Sequence, residues 1–549
     1  MQDWQRSVIY QIYPKSFYSH SGQATGDLLG VVDKLDYLKW LGVDCLWITP
    51  FLRSPQRDNG YDISDYYAID PSYGTMADCE LLIAEAGRRG IKLMLDIVVN
   101  HTSIEHEWFR QARSSLDNPY RDFYIWRDQP NNWQSKFGGN AWEYEAQTGQ
   151  YYLHLFDHTQ ADLNWDNPRV RQEVFKMMRF WRDKGVGGFR LDVINLISKP
   201  ADFPEDASDG RRFYTDGPNV HDYLQEMHRE VFEGHDLINV GEMSSTSLAH
   251  CIRYSRPESR ELSMTFNFHH LKVDYPNMEK WLCADFDFLE LKRIFSDWQT
   301  GMQAGGGWNA LFWCNHDQPR VVSRFGHDGE YREVSAKMLA TALHFLQGTP
   351  YIYQGEELGM TNPGFESIEQ YRDVETLNIH RIKREAGESE ALSMAAIMQK
   401  SRDNGRTPMQ WDAGPNAGFS RAQPWIGVPA NAARINVEQQ FDDTGSVLHH
   451  YRALVGLRRR ETLMVDGVYR QLLPEHPRVW AYVREGQGER LLVVNNFYAE
   501  PCEVELPEGV FMASQTQRLV IGNYDDCLPC SRQLSLRPYE SFVLHLSEK

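Results

Sequence analysis

GGFRLDV, residues 187–193, is an apolar run that closes on a carboxylate. It reads as a buried strand whose last residues, Arg190 and Asp192, stand at its carboxyl end. Three other runs have the same form: KLMLDIVV (92–99) leads into Asn100 and His101, LINVGE (237–242) ends on Glu242, and WNALFWC (308–314) leads into NHD, which closes on Asp317. In a (β/α)8 barrel such strand ends converge on one face, where a polar side chain can act while the strand body stays buried.

Four more strand-like runs complete the set: VIYQIYP (8–14), CLWITP (45–50), ELSMTFNF (261–268) and PYIYQG (350–355). Amphipathic helix patterns lie between them, at 27–42, 76–90, 170–185 and 334–348, several stopped by glycine. Alternating strands and helices imply parallel pairing through right-handed crossovers. Periodicity alone also admits a doubly wound sheet, but eight units close a barrel better than they fill an open sheet. The expected fold is therefore an α/β chain, a (β/α)8 TIM barrel with a subdomain inserted after strand 3 and a C-terminal antiparallel β-domain.

The expected boundaries are 1–100 for the first part of the barrel, 101–169 for the insertion, 170–464 for the second part and 465–549 for the β-domain. Residues 101–169 are rich in Trp, Tyr, Asn, Gln and Gly, and far exceed an ordinary βα loop. The stretch 446–461 reads as the last barrel helix; beyond about 465, short alternating strands such as RVWAYVRE and RLLVVNNF take over.

With 57 basic and 76 acidic residues, the 549-residue chain carries a formal charge of 57 − 76 = −19. That balance argues against nucleic acid or an anionic membrane as partner. MQDWQRSVIYQIYP shows no basic region, apolar stretch and cleavage site, and no later run is long enough to span a bilayer, so a cytoplasmic protein is expected. Eight cysteines are thinly spread and read as reduced thiols; Cys527 and Cys530 form one CxxC with no second pair to complete a zinc site.

Asp192 and Glu242, on neighbouring strand ends, suit glycoside cleavage with retained configuration: one ionised nucleophile and one protonated donor to the leaving oxygen. Arg190, two residues before Asp192 on the same strand face, is expected to lower the aspartate's pKa. Glu242, between glycine and methionine, is expected to stay protonated in apolar surroundings.

The set DIVVNH (96–101), GFRLDVIN (188–195), VGE (240–242) and NHD (315–317) resembles the α-amylase family of glycoside hydrolases over essentially the whole chain. The resemblance implies Asp192 as nucleophile, Glu242 as general acid/base and Asp317 as the carboxylate that holds hydroxyls of the distorted sugar. It implies that His101, Arg190 and His316 line the reacting-sugar subsite, that Tyr61 in NGYDISDY stacks on it, and that Asp62 grips the non-reducing end with Arg406 of NGRTPMQW as partner. Such a blind pocket favours exo-cleavage of short substrates.

QADLN (160–164) and Val193 resemble the oligo-1,6-glucosidase branch, while SMTFNFHHLKVDYP (263–276) with the following Lys280 resembles that branch's trehalose-6-phosphate hydrolases. A phosphorylated disaccharide needs fixed positive charge at the leaving-group end, which Lys272 and Lys280 can supply; His269, His270, Arg211 and Arg212 are weaker candidates. The runner-up is a glucosidase for unphosphorylated short sugars, and transfer to a sugar acceptor is compatible with the same intermediate. A non-catalytic module of a transporter heavy chain would need a membrane span and tends to lose the acids kept here. Relatives in this branch commonly bind calcium through an acidic loop after the first strand, but here that stretch reads SHSGQATGD (19–27), with Asp27 its one carboxylate. No metal and no cofactor are expected. Oligomeric state is left open.

Overall fold

The computed structural model describes residues 3–511, 515–526 and 531–548, so Cys527 and Cys530 lie outside the described residues. All eight expected strands form: β1 (Ile9–Ile12), β2 (Cys45–Ile48), β3 (Lys92–Ile97), β4 (Gly188–Leu191), β5 (Ile238–Glu242), β6 (Met264–Phe266), β7 (Ala310–Leu311) and β8 (Thr349–Tyr353). They make one eight-stranded sheet in the order β6-β5-β4-β3-β2-β1-β8-β7, the cyclic succession of a (β/α)8 barrel read from between β6 and β7. The chain packs as two compact units, residues 27–35 with 46–268, and residues 1–26, 36–45 and 269–549.

In the first of these, β3, β4, β5 and β6 pair in parallel with Arg190 opposite Asp96 and Val240, and Glu242 opposite Phe266. Strand β5 is buried along its whole length, so the polar ends of these strands sit on a dry apolar base. Gly188 is required there, because a Cβ would overlap the Ile238 carbonyl oxygen. The insertion after β3 begins with His101–Ser103, antiparallel to Gln160–Asp162, and carries a three-stranded sheet of Trp126–Arg127, Gln150–Leu153 and Trp142–Glu145. Its small core of Ile125, Trp133, Trp142, Leu153 and Leu155 reaches Val193 and Leu196, so it buttresses the segment following β4.

The other unit holds β1, β8 and β7, with Ile9 to Gln11 in register with Tyr351 to Tyr353. Helices Arg332–His344 and Val447–Arg460 lie where the amphipathic patterns put them. The C-terminal sheet runs Val468–Leu472, Val479–Gly486, Glu489–Asn496, Ser541–Glu548, Gln515–Gly522, antiparallel throughout, over a core that includes Val479, Val483, Leu492, Val494 and Phe542.

One helix differs from expectation. The pattern at 27–42 forms two, Leu28–Asp33 and Leu35–Leu41, because Lys34 N–H bonds to the Val31 carbonyl and tightens the turn between them. Cys45, Cys79, Cys251, Cys283, Cys314 and Cys502 are free thiols, and burial pushes those of Cys79, Cys251 and Cys314 up to about 12, where they are unreactive.

Candidate active site

Arg190 is the hub of the first unit's strand ends. Its guanidinium, 1 % exposed, reaches Asp96 Oδ1 at 2.8 Å, Asp192 Oδ1 at 2.5 Å and Glu242 Oε2 at 2.7 Å. Trp47 Nε1 and Tyr61 Oη also donate to Asp96 Oδ2, at 3.0 and 2.9 Å. Three carboxyl groups thus surround one cation in a buried site. Burial pushes Asp192 up to about 6, outweighing the opposing pull of Arg190, and Asp96 rises to about 6 for the same reason. The expectation that Arg190 leaves Asp192 with a lowered pKa is therefore corrected: the guanidinium only limits the rise.

The Glu242 side chain, beside Asp192 on the same guanidinium, also limits the rise of Asp192. Glu242 Oε2 accepts the Val193 N–H at 3.1 Å as well, so its surroundings are polar rather than the apolar pocket expected. Val193, next to the nucleophile candidate, has φ +37° and ψ 40°, a left-handed conformation that a β-branched residue adopts only under constraint. That turn aims Asp192, whose own N–H is held by the Ile97 carbonyl.

His101 is buried, with Nε2 3.2 Å from the Tyr61 carbonyl and 3.3 Å from Gln160 Nε2, and burial lowers it to about 4, so it is neutral at pH 7. Asp62 lies beside the 54–58 turn. It is wholly buried, its Oδ1 accepting from Ser54 Oγ and Asp58 N–H, and its Oδ2 from Arg57 N–H. These three bonds fix the direction of its carboxylate beside the turn. Asp58, in the same turn, is also buried and accepts from Gln160 Nε2 at 3.1 Å.

Lys199, missed in the sequence reading, is buried with its ammonium 2.8 Å from Asp162 Oδ2 and 2.9 Å from Asn100 Oδ1. It fastens the Asn100-His101 pair to the QADLN strand, and its only sequence signal is a lone lysine within an apolar stretch. The 19–27 stretch does not suit a cation. Asp27 caps a helix by accepting from Gly30 N–H at 2.7 Å, and the Arg421 guanidinium lies against Gly22 and donates to the Ser21 carbonyl. Among the described residues no group of three or more His, Cys, Asp or Glu is arranged to hold a metal ion.

In the other unit, Asp317 Oδ1 accepts from Arg406 Nη2 at 2.8 Å and Arg402 Nη1 at 3.2 Å, while His316 Nε2 stands 3.3 Å from Oδ2. Asp317 keeps 28 % of its side chain exposed, the open end of an otherwise buried group. His316 stacks on Tyr13 and takes its orientation from Gln11 Nε2 at 2.8 Å. Arg402 and Arg406 share Asp373; burial opposes its charge, but the two guanidinium groups outweigh burial and hold it well below the usual carboxylate range. Arg406 is thus fixed as a partner of Asp317.

Lys272 is half-buried in the turn after His269–Leu271. Lys280 Nζ pairs with Glu375 Oε2 at 2.7 Å, and Glu375 also lies 3.4 Å from Arg402 Nε. His270 is buried against the Phe312 carbonyl and lowered to about 3, so it supplies no charge to a phosphate. Arg211 and Arg212 pair with Asp209 and Asp206.

A fold of eight βα units with acid-bearing strand ends defines a class, and comparison with known proteins agrees with it. The description "Alpha amylase, catalytic domain" matches residues 11–467, and "Alpha-amylase SusG C-terminal domain" matches 479–543. The chain belongs to the α-amylase family of glycoside hydrolases. It is 56 % identical to the trehalose-6-phosphate hydrolase of Bacillus subtilis (strain 168), covering 99 % of this chain and 98 % of that one. It is 49 % identical to the oligo-1,6-glucosidase of Parageobacillus thermoglucosidasius, over 98 % of each. The crystal structure of the Bacillus licheniformis trehalose-6-phosphate hydrolase superposes with TM-score 0.97 at 57 % identity, covering both chains completely.

Proposed function

We propose that this enzyme hydrolyses trehalose 6-phosphate to glucose and glucose 6-phosphate with retained configuration. Asp192 attacks the anomeric carbon and Glu242 gives its proton to the departing oxygen of glucose 6-phosphate, leaving a glucosyl ester on Asp192. Glu242 then takes a proton from water, whose oxygen attacks the same carbon, frees glucose and restores the Asp192 carboxylate. The carrying observation is geometric: the Asp192 and Glu242 carboxyl groups, from neighbouring strand ends, meet on one buried guanidinium at 2.5 and 2.7 Å, the pair of carboxyl groups that retaining cleavage needs.

Asp317, fixed by Arg402 and Arg406 with His316 beside it, holds sugar hydroxyls; His101 and Tyr61 line the sugar subsite at the Asp192 strand end, and Asp62 grips the non-reducing end. Arg190 keeps the nucleophile ionised enough to act. Lys272 takes the phosphate. Lys280 contributes by exchanging its contact with Glu375 for the phosphate. The reaction needs no metal or cofactor. Among the described residues no helix is long and apolar enough to cross a membrane, and a phosphorylated sugar is retained inside the cell that makes it, so we place the enzyme in the cytoplasm. Residues 101–169 are proposed as an inserted subdomain and residues 465–549 as a C-terminal β-domain of this catalyst.

The Lys280–Glu375 pair favours a second reading, a glucosidase indifferent to phosphate. Purified enzyme assayed on trehalose 6-phosphate, trehalose, isomaltose and maltose separates the two. The first reading expects strong preference for the phosphorylated sugar, lost selectively in Lys272→Ala; equal rates on isomaltose would exclude it.

A further inference from the structure

We infer that Asp274 is a positioning residue for phosphate recognition, setting the backbone that presents Lys272. The inference rests on the proposed role of Lys272. Asp274 is buried, two residues beyond Lys272, and is gripped by two cations. Arg324 donates from Nε to Oδ2 at 2.9 Å and from Nη2 to Oδ1 at 2.7 Å, the fork geometry that fixes a carboxylate in both direction and plane. Lys400 Nζ donates to Oδ2 at 2.6 Å and to the Asp274 carbonyl at 3.1 Å.

The same Arg324 Nη2 bonds the Leu271 carbonyl, and Nη1 donates to Gln318 Oε1 at 2.8 Å. One guanidinium therefore holds the residue just before Lys272, the carboxylate two residues after it, and the residue that follows Asp317. Lys400 lies two positions before Arg402, itself bonded to Asp317. The turn bearing Lys272 is thus tied to the segments bearing and holding Asp317, all within one unit of the chain. Tyr275 lies beneath both cations, 5.6 Å from Arg324 and 5.3 Å from Lys400.

A cluster of two cations and one carboxylate has net charge +1, more than structural pairing alone requires. Burial opposes the charge on Asp274, but Arg324 and Lys400 outweigh it and keep the carboxylate ionised. A rigid mount of this kind matters because a phosphate dianion is held by a lysine only where the ammonium is prepositioned; a loose turn would repay part of the attraction in ordering entropy.

The test is the ratio of kcat/KM on trehalose 6-phosphate to that on p-nitrophenyl α-glucoside, which has no phosphate, measured with Tm. Asp274→Asn is expected to lower the ratio about tenfold or more, chiefly through KM for the phosphorylated sugar. Where that variant folds poorly, Asp274→Asn combined with Lys400→Met keeps the cluster at +1 and carries the test. A ratio unchanged in both, or equal losses on both substrates, would overturn the inference while Lys272→Ala still lowers it. An unchanged ratio in Lys272→Ala would instead overturn the phosphate role of Lys272 itself.

Discussion

Asp192 carries two opposing demands. Its folded pKa of about 6 lies above the ordinary 3.8, so its contribution to stability is full below the unfolded value and is lost as pH rises through about 6. At neutral pH the ionised group is a cost of roughly 1–3 kcal/mol, retained for catalysis. Asp192→Asn is expected to raise Tm at pH 7.5 and to abolish hydrolysis, with no Tm gain at pH 4, which calorimetry and assay at the two pH values will show. The same shift predicts that kcat/KM falls on the acid side of about pH 6, as the nucleophile takes up a proton. Asp62 also combines function and folding. Asp62→Asn should cut kcat/KM by about a hundredfold, as expected of the residue that grips the sugar end. The same substitution should lower Tm, since it weakens the carboxylate that three donors of the 54–58 turn share. An unchanged kcat/KM would remove Asp62 from the sugar-gripping role.

At the scale of elements, every barrel strand was legible as an apolar run, because a parallel sheet buried on both faces leaves a continuous hydrophobic signature. What was not legible was how strand ends meet. Asp96 looked like part of a motif, and only its register opposite Arg190 reveals it as a third carboxylate on the same guanidinium. Asp58 and Asp62 are acidic neighbours in one string, and that Ser54 and the N–H groups of Arg57 and Asp58 all donate to Asp62 is visible only in the folded chain. Lys199 is invisible to periodicity, since its partners Asn100 and Asp162 lie in two other segments of the insertion's base. It yields an element-scale prediction. Lys199→Met leaves Asp162 charged, buried and without its cation, a loss of roughly 3–5 kcal/mol. The variant should show a markedly lower Tm and early proteolytic cleavage within 101–169; cleavage and Tm like the parent enzyme would mean that the Leu155 N–H and Asn100 bonds to Asp162 suffice.

At the scale of the whole molecule, the formal charge of −19 opposes the approach of a phosphate dianion that the proposed site must attract. The two effects differ in range. Repulsion by the distributed charge acts over many ångströms, whereas a lysine in contact with phosphate acts at hydrogen-bond distance. The Debye length falls from about 30 Å at 0.01 M salt to about 8 Å at 0.15 M, so added salt removes the repulsion first and screens close, half-buried contacts much less. Raising ionic strength over that interval should therefore increase kcat/KM for trehalose 6-phosphate about two- to threefold, while a neutral aryl glucoside stays flat. Beyond about 0.5 M, where the screening length approaches contact distance, the phosphorylated substrate should lose the gain. A steady decline from the lowest salt would show that local cations dominate even at long range. In that case the basic turn, rather than the acidic surface, governs encounter, and Lys272→Ala should flatten the dependence.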